Sequence, residues 1–179
     1  RKYGDENKPK ISTEFGYTDG QIANPLGFPI SREQIAQLLT RGLIIHNVLG
    51  FKRVFLYSFW DAGTNPNDTE HHFGMVDYYL QKKPSFYAFC TLGEQLGNTR
   101  LASRMKGTDE KLVYGYNYRD IKTGTFTAVI WDGRGDYSGL FRTTKPGKVE
   151  VTQLYGEHSA IQTKPDGTFR TLYGPSVIY

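Results

Sequence analysis

The stretch Lys10-Ile11-Ser12-Thr13-Glu14-Phe15-Gly16 decides how the rest of the chain is read. Four residues of β-type composition run into a carboxylate, and a glycine follows two positions later. This order predicts a strand that stops at Glu14, with the acid held at the mouth of a sheet or barrel. In parallel α/β folds the C-terminal ends of strands are where chemistry is done, because the following loops converge there. A tetrapeptide as short as Thr13-Glu14-Phe15-Gly16 carries little by itself, and a surface glutamate is the plain alternative. The residues beyond it supply the context.

After Glu14 comes a loop rich in turn formers: Gly16, Asp19-Gly20, Asn24-Pro25 and Gly27-Phe28-Pro29. Ser31 and Gln34 have the spacing of a capping box. Ile35, Leu38, Leu39, Gly42, Ile45 and Leu49 then share one helical face, and Gly50 ends the helix. Residues 51–58 form a buried-type strand, interrupted only by Lys52-Arg53. A polar loop, 61–70, leads to the apolar piece Phe73-Gly74-Met75-Val76. Pro84 marks the first turn of a second helix with the face Phe86, Phe89, Cys90, Gly93 and Leu96, stopped by Gly97. Strand, helix, strand, helix is the order of a parallel α/β unit.

From about Leu101 the period changes to two. The segment 125–131 runs into Asp132-Gly133, and 148–152 follows the Pro146-Gly147 turn. Lys164-Pro165-Asp166-Gly167 reads as a hairpin, since proline presets φ and Asp-Gly tolerates the positive φ of the turn. Strands at this spacing predict a small antiparallel β-sandwich. Trp131 is expected in its core, with no face for stacking sugar. The fold class is therefore α/β plus all-β, with residues 1–100 in the first part and 101–179 in the second. No internal repeat and no low-complexity segment occurs.

The totals agree with a globular chain. It has 179 residues, 38% of them apolar, with 13 Tyr, 11 Phe, 20 Gly and 8 Pro. Net charge is +4, but the basic residues are scattered singly or in pairs such as Lys82-Lys83. Nucleic-acid binding therefore has no patch or motif behind it. Tyr114, Tyr116 and Tyr118 alternate onto one strand face, and without accompanying basic residues they read as a ladder facing a core. The single cysteine, Cys90, excludes an internal disulfide and reads as a buried structural thiol. No apolar run reaches the ~20 residues of a membrane span. The opening Arg1-Lys2-Tyr3-Gly4-Asp5-Glu6 has neither an initiator methionine nor a signal-peptide core, so the chain is expected to begin inside something larger.

In this order the first part resembles the last two βα units of a clan A glycoside hydrolase, a retaining enzyme built on a (β/α)8 TIM barrel. In that clan the seventh strand ends in the nucleophilic glutamate within Thr-Glu-Phe/Tyr-Gly, matched here by Thr13-Glu14-Phe15-Gly16. The eighth ends in a tryptophan that floors the subsite where the bond breaks, matched by Trp60. The Phe73-Gly74-Met75-Val76 and Lys83-Pro84-Ser85-Phe86 segments match the pieces that follow. A small β-sandwich behind the barrel is a feature of family 39 and its relatives.

The resemblance implies a carbohydrate substrate, cleavage of a β-glycosidic bond by double displacement, no cofactor, no metal, and a secreted or extracytoplasmic location. It makes Glu14 the nucleophile and Trp60 a sugar platform, with Asp61, Tyr17 and His72 as substrate contacts. Asp61 reads equally well as a loop start. Asp19 and Asn24 line the same loop, though turn formation accounts for both. His71-His72 with Asp68 and Glu70 lacks a spaced third ligand for a metal, and a solvated loop explains it better. His46, mid-helix, reads as structural.

The departure from the clan is large. Its acid/base glutamate ends the fourth strand, and nothing here precedes the seventh. Glu94 falls in a helix, Glu110 in a turn, and Glu150 and Glu157 in the sandwich. The expected partner is thus the remainder of the barrel, without which this chain is inactive. The contrasting readings are a non-catalytic carbohydrate-binding or structural module and, behind it, a nucleic-acid-binding module.

Overall fold

The computed structural model describes residues 4, 7–20, 30–106 and 113–179. Asn24 and Glu110 lie outside the described residues. The chain divides into two compact units, Arg1–Phe86 and Tyr87–Tyr179.

The first unit is a β-α-β arrangement. Strand β1 (Lys10–Phe15) pairs in parallel with β2 (Phe51–Leu56), and helix α1 (Arg32–Val48) connects them. The helix begins where local chemistry says it should. The Ser31 hydroxyl accepts from the Gln34 N–H, and the Gln34 side chain accepts from the Ser31 N–H, so two otherwise unpaired donors are satisfied. At the other end Gly50 takes φ +79, a left-handed position that suits glycine.

The buried arc of α1 is Ile35, Ala36, Leu39, Thr40 and Ile44, whereas Leu38 and Ile45 are half-buried and Leu49 is exposed. The expected face is thus rotated. Ala36 and Thr40 are small enough for close packing, and the Thr40 hydroxyl removes its own penalty by donating to the Ala36 carbonyl. His46 is structural: its Nδ1 lies 2.7 Å from the Gly42 carbonyl, and its ring sits edge-on to Phe15 and Phe51. Strand β2 departs from the buried type as well. From Arg53 on it alternates exposed and half-buried residues, with Lys52 exposed as well, and among the described residues a single strand flanks it.

Past β2, residues 73–76 run beside 58–61. Ser58 donates to Phe73, Met75 to Ser58, Val76 to Phe59 and Asp61 to Val76. A 3₁₀ turn, Thr69–His72, precedes this segment. Helix α2 (Pro84–Leu96) forms as expected, but Ser85, Ala88 and Thr91 are its buried residues. Phe89 and Cys90 are exposed, so Cys90 is not a buried thiol. Hydropathy picked out the bulky stripe, while the small residues occupy the packed face.

The second unit is antiparallel throughout its ladders, an arrangement compatible with a small sandwich. Strands β3 (Thr99–Arg104), β4 (Val113–Asp120) and β5 (Phe126–Asp132) form one sheet in that order. β6 (Tyr137–Arg142) pairs with β9 (Thr168–Tyr173), and β7 (Lys148–Thr152) pairs with β8 (His158–Gln162). The last four strands are one long ribbon whose reversal lies at 153–157, where Gln153 donates to Glu157 and Gly156 donates to Gln153.

Lys164-Pro165-Asp166-Gly167 is therefore a bend in one side of this ribbon and not a hairpin between paired strands. Its internal Gly167-to-Lys164 bond exists, but Thr143 donates to Gly167 across the ribbon. The C-terminal residues join the sheet and the ribbon: Ile178 exchanges both backbone bonds with Ile130, and Tyr179 does the same with Thr152. Trp131 is 1% exposed, stacked on Tyr114 at 5.1 Å, and Tyr116 and Tyr118 are buried with it. The tyrosine ladder faces a core. Among the described residues no helix is long and apolar enough to cross a membrane.

Candidate functional site

The C-terminal ends of β1 and β2 lie side by side, with Phe15 opposite Leu56 and the Tyr57 N–H donating to the Phe15 carbonyl at 3.0 Å. Gly16 explains how the chains pass so closely. A Cβ there would fall inside the van der Waals shell of the Tyr57 carbonyl oxygen, so only glycine fits. The glycine of the Thr-Glu-Phe-Gly stretch thus has a steric reason.

Glu14 sits next to this crossing with its side chain exposed, and among the described residues its carboxylate makes no ion pair. Tyr57 lies within its field. The phenol of Tyr57 donates to the Glu70 carboxylate at 2.9 Å and has its pKa raised by that bond, with the charges of Glu70 and then Glu14 adding to it. Sequence reasoning did not single out Tyr57, and it met Glu70 only as part of the Asp68–His72 loop, not as the partner of this phenol. The signal available was Tyr57's position, one residue past an apolar strand and level with the end of its neighbour.

Trp60 lies further along the loop. Its ring stacks on Tyr78 at 5.9 Å and 22°, and its indole N–H points at the Tyr78 carbonyl at 3.4 Å. Both rings are about half exposed, at 50% and 45%. Tyr78 belongs to a turn held by Asp77, whose carboxylate accepts from the N–H groups of Tyr79 and Gln81. Trp60 and Tyr78 together make a half-exposed aromatic stack past the end of β2.

Asp61 has a different environment. It is 2% exposed, accepts from the Gly74 N–H at 2.7 Å, and is 2.8 Å from the Lys83 ammonium. Lys83 also reaches Asp19 at 2.8 Å and the His72 carbonyl at 3.4 Å, while Arg32 pairs with Asp19 from the start of α1. Burial resists ionisation of Asp19, but the bonds and charges from Lys83 and Arg32 outweigh it and hold its pKa below the usual aspartate value. The geometry gives Asp61 the task of fixing a loop. His72 binds the Asn65 carbonyl through Nε2 at 2.7 Å, and Tyr17 is half-buried, edge-on to Phe15 at 5.5 Å. Tyr17, Asp61 and His72 thus surround the ion cluster, whereas Tyr57 is bonded to Glu70 within the field of Glu14 and Trp60 stacks on Tyr78.

One donor atom each from Asp19, Asp61 and His72 fall within 4.8 Å of one another. The Lys83 ammonium already bridges the two carboxylates, so a cation there would have to displace it. The sequence signal for this cluster was Lys83 directly before Pro84. A cation at a helix N-terminus opposes the helix dipole and calls for carboxylate partners.

No protein-family model matches the chain, and no curated protein matches it. Among solved structures it is similar to a family 39 glycoside hydrolase from the gut symbiont Bacteroides cellulosilyticus WH2, with a TM-score of 0.77 and 16% identity over 95% of this chain. The chain spans about a third (33%) of the length of that protein. This likeness shows a glycosidase-like fold.

Proposed function

We propose that this chain is the C-terminal portion of a retaining β-glycoside hydrolase and supplies the nucleophile half of its site. The observation that carries the reading is an exposed carboxylate, Glu14, at the C-terminal end of a parallel strand and beside the end of the next. Glycosidase-like fold and strand-end acid point the same way.

In this reading Glu14 attacks the anomeric carbon while an acid from the rest of the barrel protonates the leaving oxygen. The C1–O bond breaks as the Glu14–C1 ester forms. Water, deprotonated by that second carboxylate, then displaces Glu14 and restores it. Tyr57 shapes the floor next to the nucleophile, Trp60, braced by Tyr78, offers an apolar ring face to the sugar, and Asp61 holds the loop through Lys83. The acid/base residue and the remaining βα units belong to the barrel that completes the site.

A mechanism-based fluoroglycoside applied to the complete enzyme should label Glu14, and Glu14→Gln should abolish turnover while substrate still binds. Label on another carboxylate, or near-normal turnover in the Gln variant, would overturn the assignment. The exposed Trp60–Tyr78 stack favours a second reading, a non-catalytic carbohydrate-binding module. In that case Trp60→Ala would lose saccharide binding, and no complete form would hydrolyse a glycoside.

A further inference from the structure

The outer face of the three-stranded sheet carries a row of residues that no step above uses. Arg100 on β3 lies directly opposite Arg119 on β4, and Arg119 lies opposite Phe126 on β5. Residues paired in this way share a face, and like charges placed opposite each other destabilise a sheet. Arg100, Arg119 and Lys122 line a concavity of about 440 Å³, within the range of small-ligand sites. Among the described residues neither arginine has a carboxylate within ion-pair distance.

One acid, Asp120, also lines the concavity. Its carboxylate is turned into the β4–β5 loop, accepting from the N–H groups of Lys122 and Thr123 at 2.8 and 2.7 Å. Three cations thus face one committed anion. The Arg119 guanidinium is preorganised: it stands 5.8 Å from the Phe126 ring centroid, and a Cβ on Gly124 would lie only 3.3 Å from its Nη2. Phe126 itself is 61% exposed.

We infer that this row is a binding site for an anionic saccharide, a polysaccharide unit bearing a carboxylate or a sulfate ester. The guanidinium forks receive the oxyanion, which relieves the Arg100–Arg119 repulsion, and the exposed Phe126 ring receives an apolar sugar face. The β-unit therefore has a sugar-facing surface that its sequence pattern did not suggest. The choice of a saccharide as carrier rests on the carbohydrate reading above, whereas the oxyanion site rests on the row alone. A nucleic acid fits less well. Among the described residues the cations form one cluster a hairpin wide, with no track along which a phosphate backbone could run and a single aromatic to stack on.

The test uses the whole 179-residue chain, titrated with polygalacturonate, a sulfated galactan, neutral dextran and a DNA duplex at two salt concentrations. Either polyanionic saccharide or both should bind, more weakly at higher salt, and dextran should not. Binding of only one of them identifies the carboxylate or the sulfate ester as the group recognised. Arg100→Ala and Arg119→Ala should each weaken binding at least tenfold with thermal melts no lower than the parent's, Arg119→Lys should fall between, and Glu14→Gln should have no effect.

Failure of both polyanions to bind, unchanged affinity in the arginine variants, or tighter DNA binding with the same arginine dependence would overturn the proposal. The two readings fail separately. Loss of saccharide binding in Glu14→Gln but not in the arginine variants would put the ligand at the strand ends, removing this site and leaving the hydrolase. Loss in the arginine variants, together with full turnover by Glu14→Gln in the complete enzyme, would do the opposite.

Discussion

The Lys83 ammonium lies 2.8 Å from the Asp61 carboxylate, with 4% and 3% of the two side chains exposed. Asp19 shares the same ammonium, so one cation holds three segments: the loop after β1, the loop after β2 and the entry to α2. A buried pair adds little net stability compared with a packed apolar one, but an orphaned member is costly. Lys83→Met would leave two carboxylates facing each other with no cation between them. It should lower unfolding stability by about 3–5 kcal/mol in urea titration. In an Asp61→Asn background the same substitution should cost clearly less, because the two changes are coupled. Equal costs in both backgrounds would show that the pair does not act as a unit.

Acid should weaken the same cluster. Asp19 has a folded pKa below its ordinary value, so its contribution is complete above the unfolded value of about 4 and is lost as pH falls through the lower, folded one. Unfolding free energy followed downward from pH 7 should hold until about pH 4 and then decline. Asp19→Asn should flatten that decline without abolishing it, since Asp132 and Asp166 are shifted in the same direction. An unchanged acid slope in the variant would assign the effect to other carboxylates.

The second unit offers a substitution that should stabilise. The Tyr179 hydroxyl is buried with no hydrogen-bond partner among the described residues, and its ionisation is opposed by burial and then by Tyr118. Tyr179→Phe removes an unsatisfied polar atom and keeps the ring, so stability should rise by about 1 kcal/mol. Deleting residues 177–179 should instead lower it sharply, because the backbone bonds to Ile130 and Thr152 go with them. A destabilised Phe variant would mean that the hydroxyl has a partner in solution.

How much of this was legible in the sequence depends on how local each feature is. The cap at Ser31 and the strand end near Glu14 follow from neighbours a few residues apart and stand where the pattern put them, whereas the second strand stops at Leu56, short of the expected Ser58. The Lys164–Gly167 turn was also legible as a turn, yet its chemistry is the same in a hairpin and in a bend. Only the distant pairing of β6 with β9 decides between them. The face of α2 failed for a similar reason, since packing selected Ser85, Ala88 and Thr91 over larger apolar neighbours. In the site, Glu14 was visible as a strand-end acid, whereas the Lys83–Asp19 pair spans 64 positions and no local motif encodes it. The Arg100–Arg119 row depends on strand register in the same way.

Under the proposed hydrolase reading, Tyr57 and Trp60 should divide the kinetics between them in the complete enzyme. Tyr57 lies at the crossing of β1 and β2 and in the field of Glu14, anchored through Glu70. Tyr57→Phe keeps the ring but frees Glu70 and removes a polar group next to the proposed nucleophile. Its effect should fall on the chemical step, lowering kcat by about 10–100-fold, in the range of a lost charge-assisted hydrogen bond, with KM little changed. Trp60 stacks on Tyr78, and an apolar stacking contact of this kind with a sugar is made in the ground state and the transition state alike. Trp60→Ala should raise KM by roughly 5–100-fold, the equivalent of about 1–3 kcal/mol of lost stacking area, and leave kcat nearly intact. Steady-state kinetics of the two single variants on one substrate decide the matter. If Trp60→Ala lowered kcat and Tyr57→Phe raised KM, the tryptophan rather than the tyrosine would belong at the bond-breaking subsite, and the roles of the two residues would have to be exchanged.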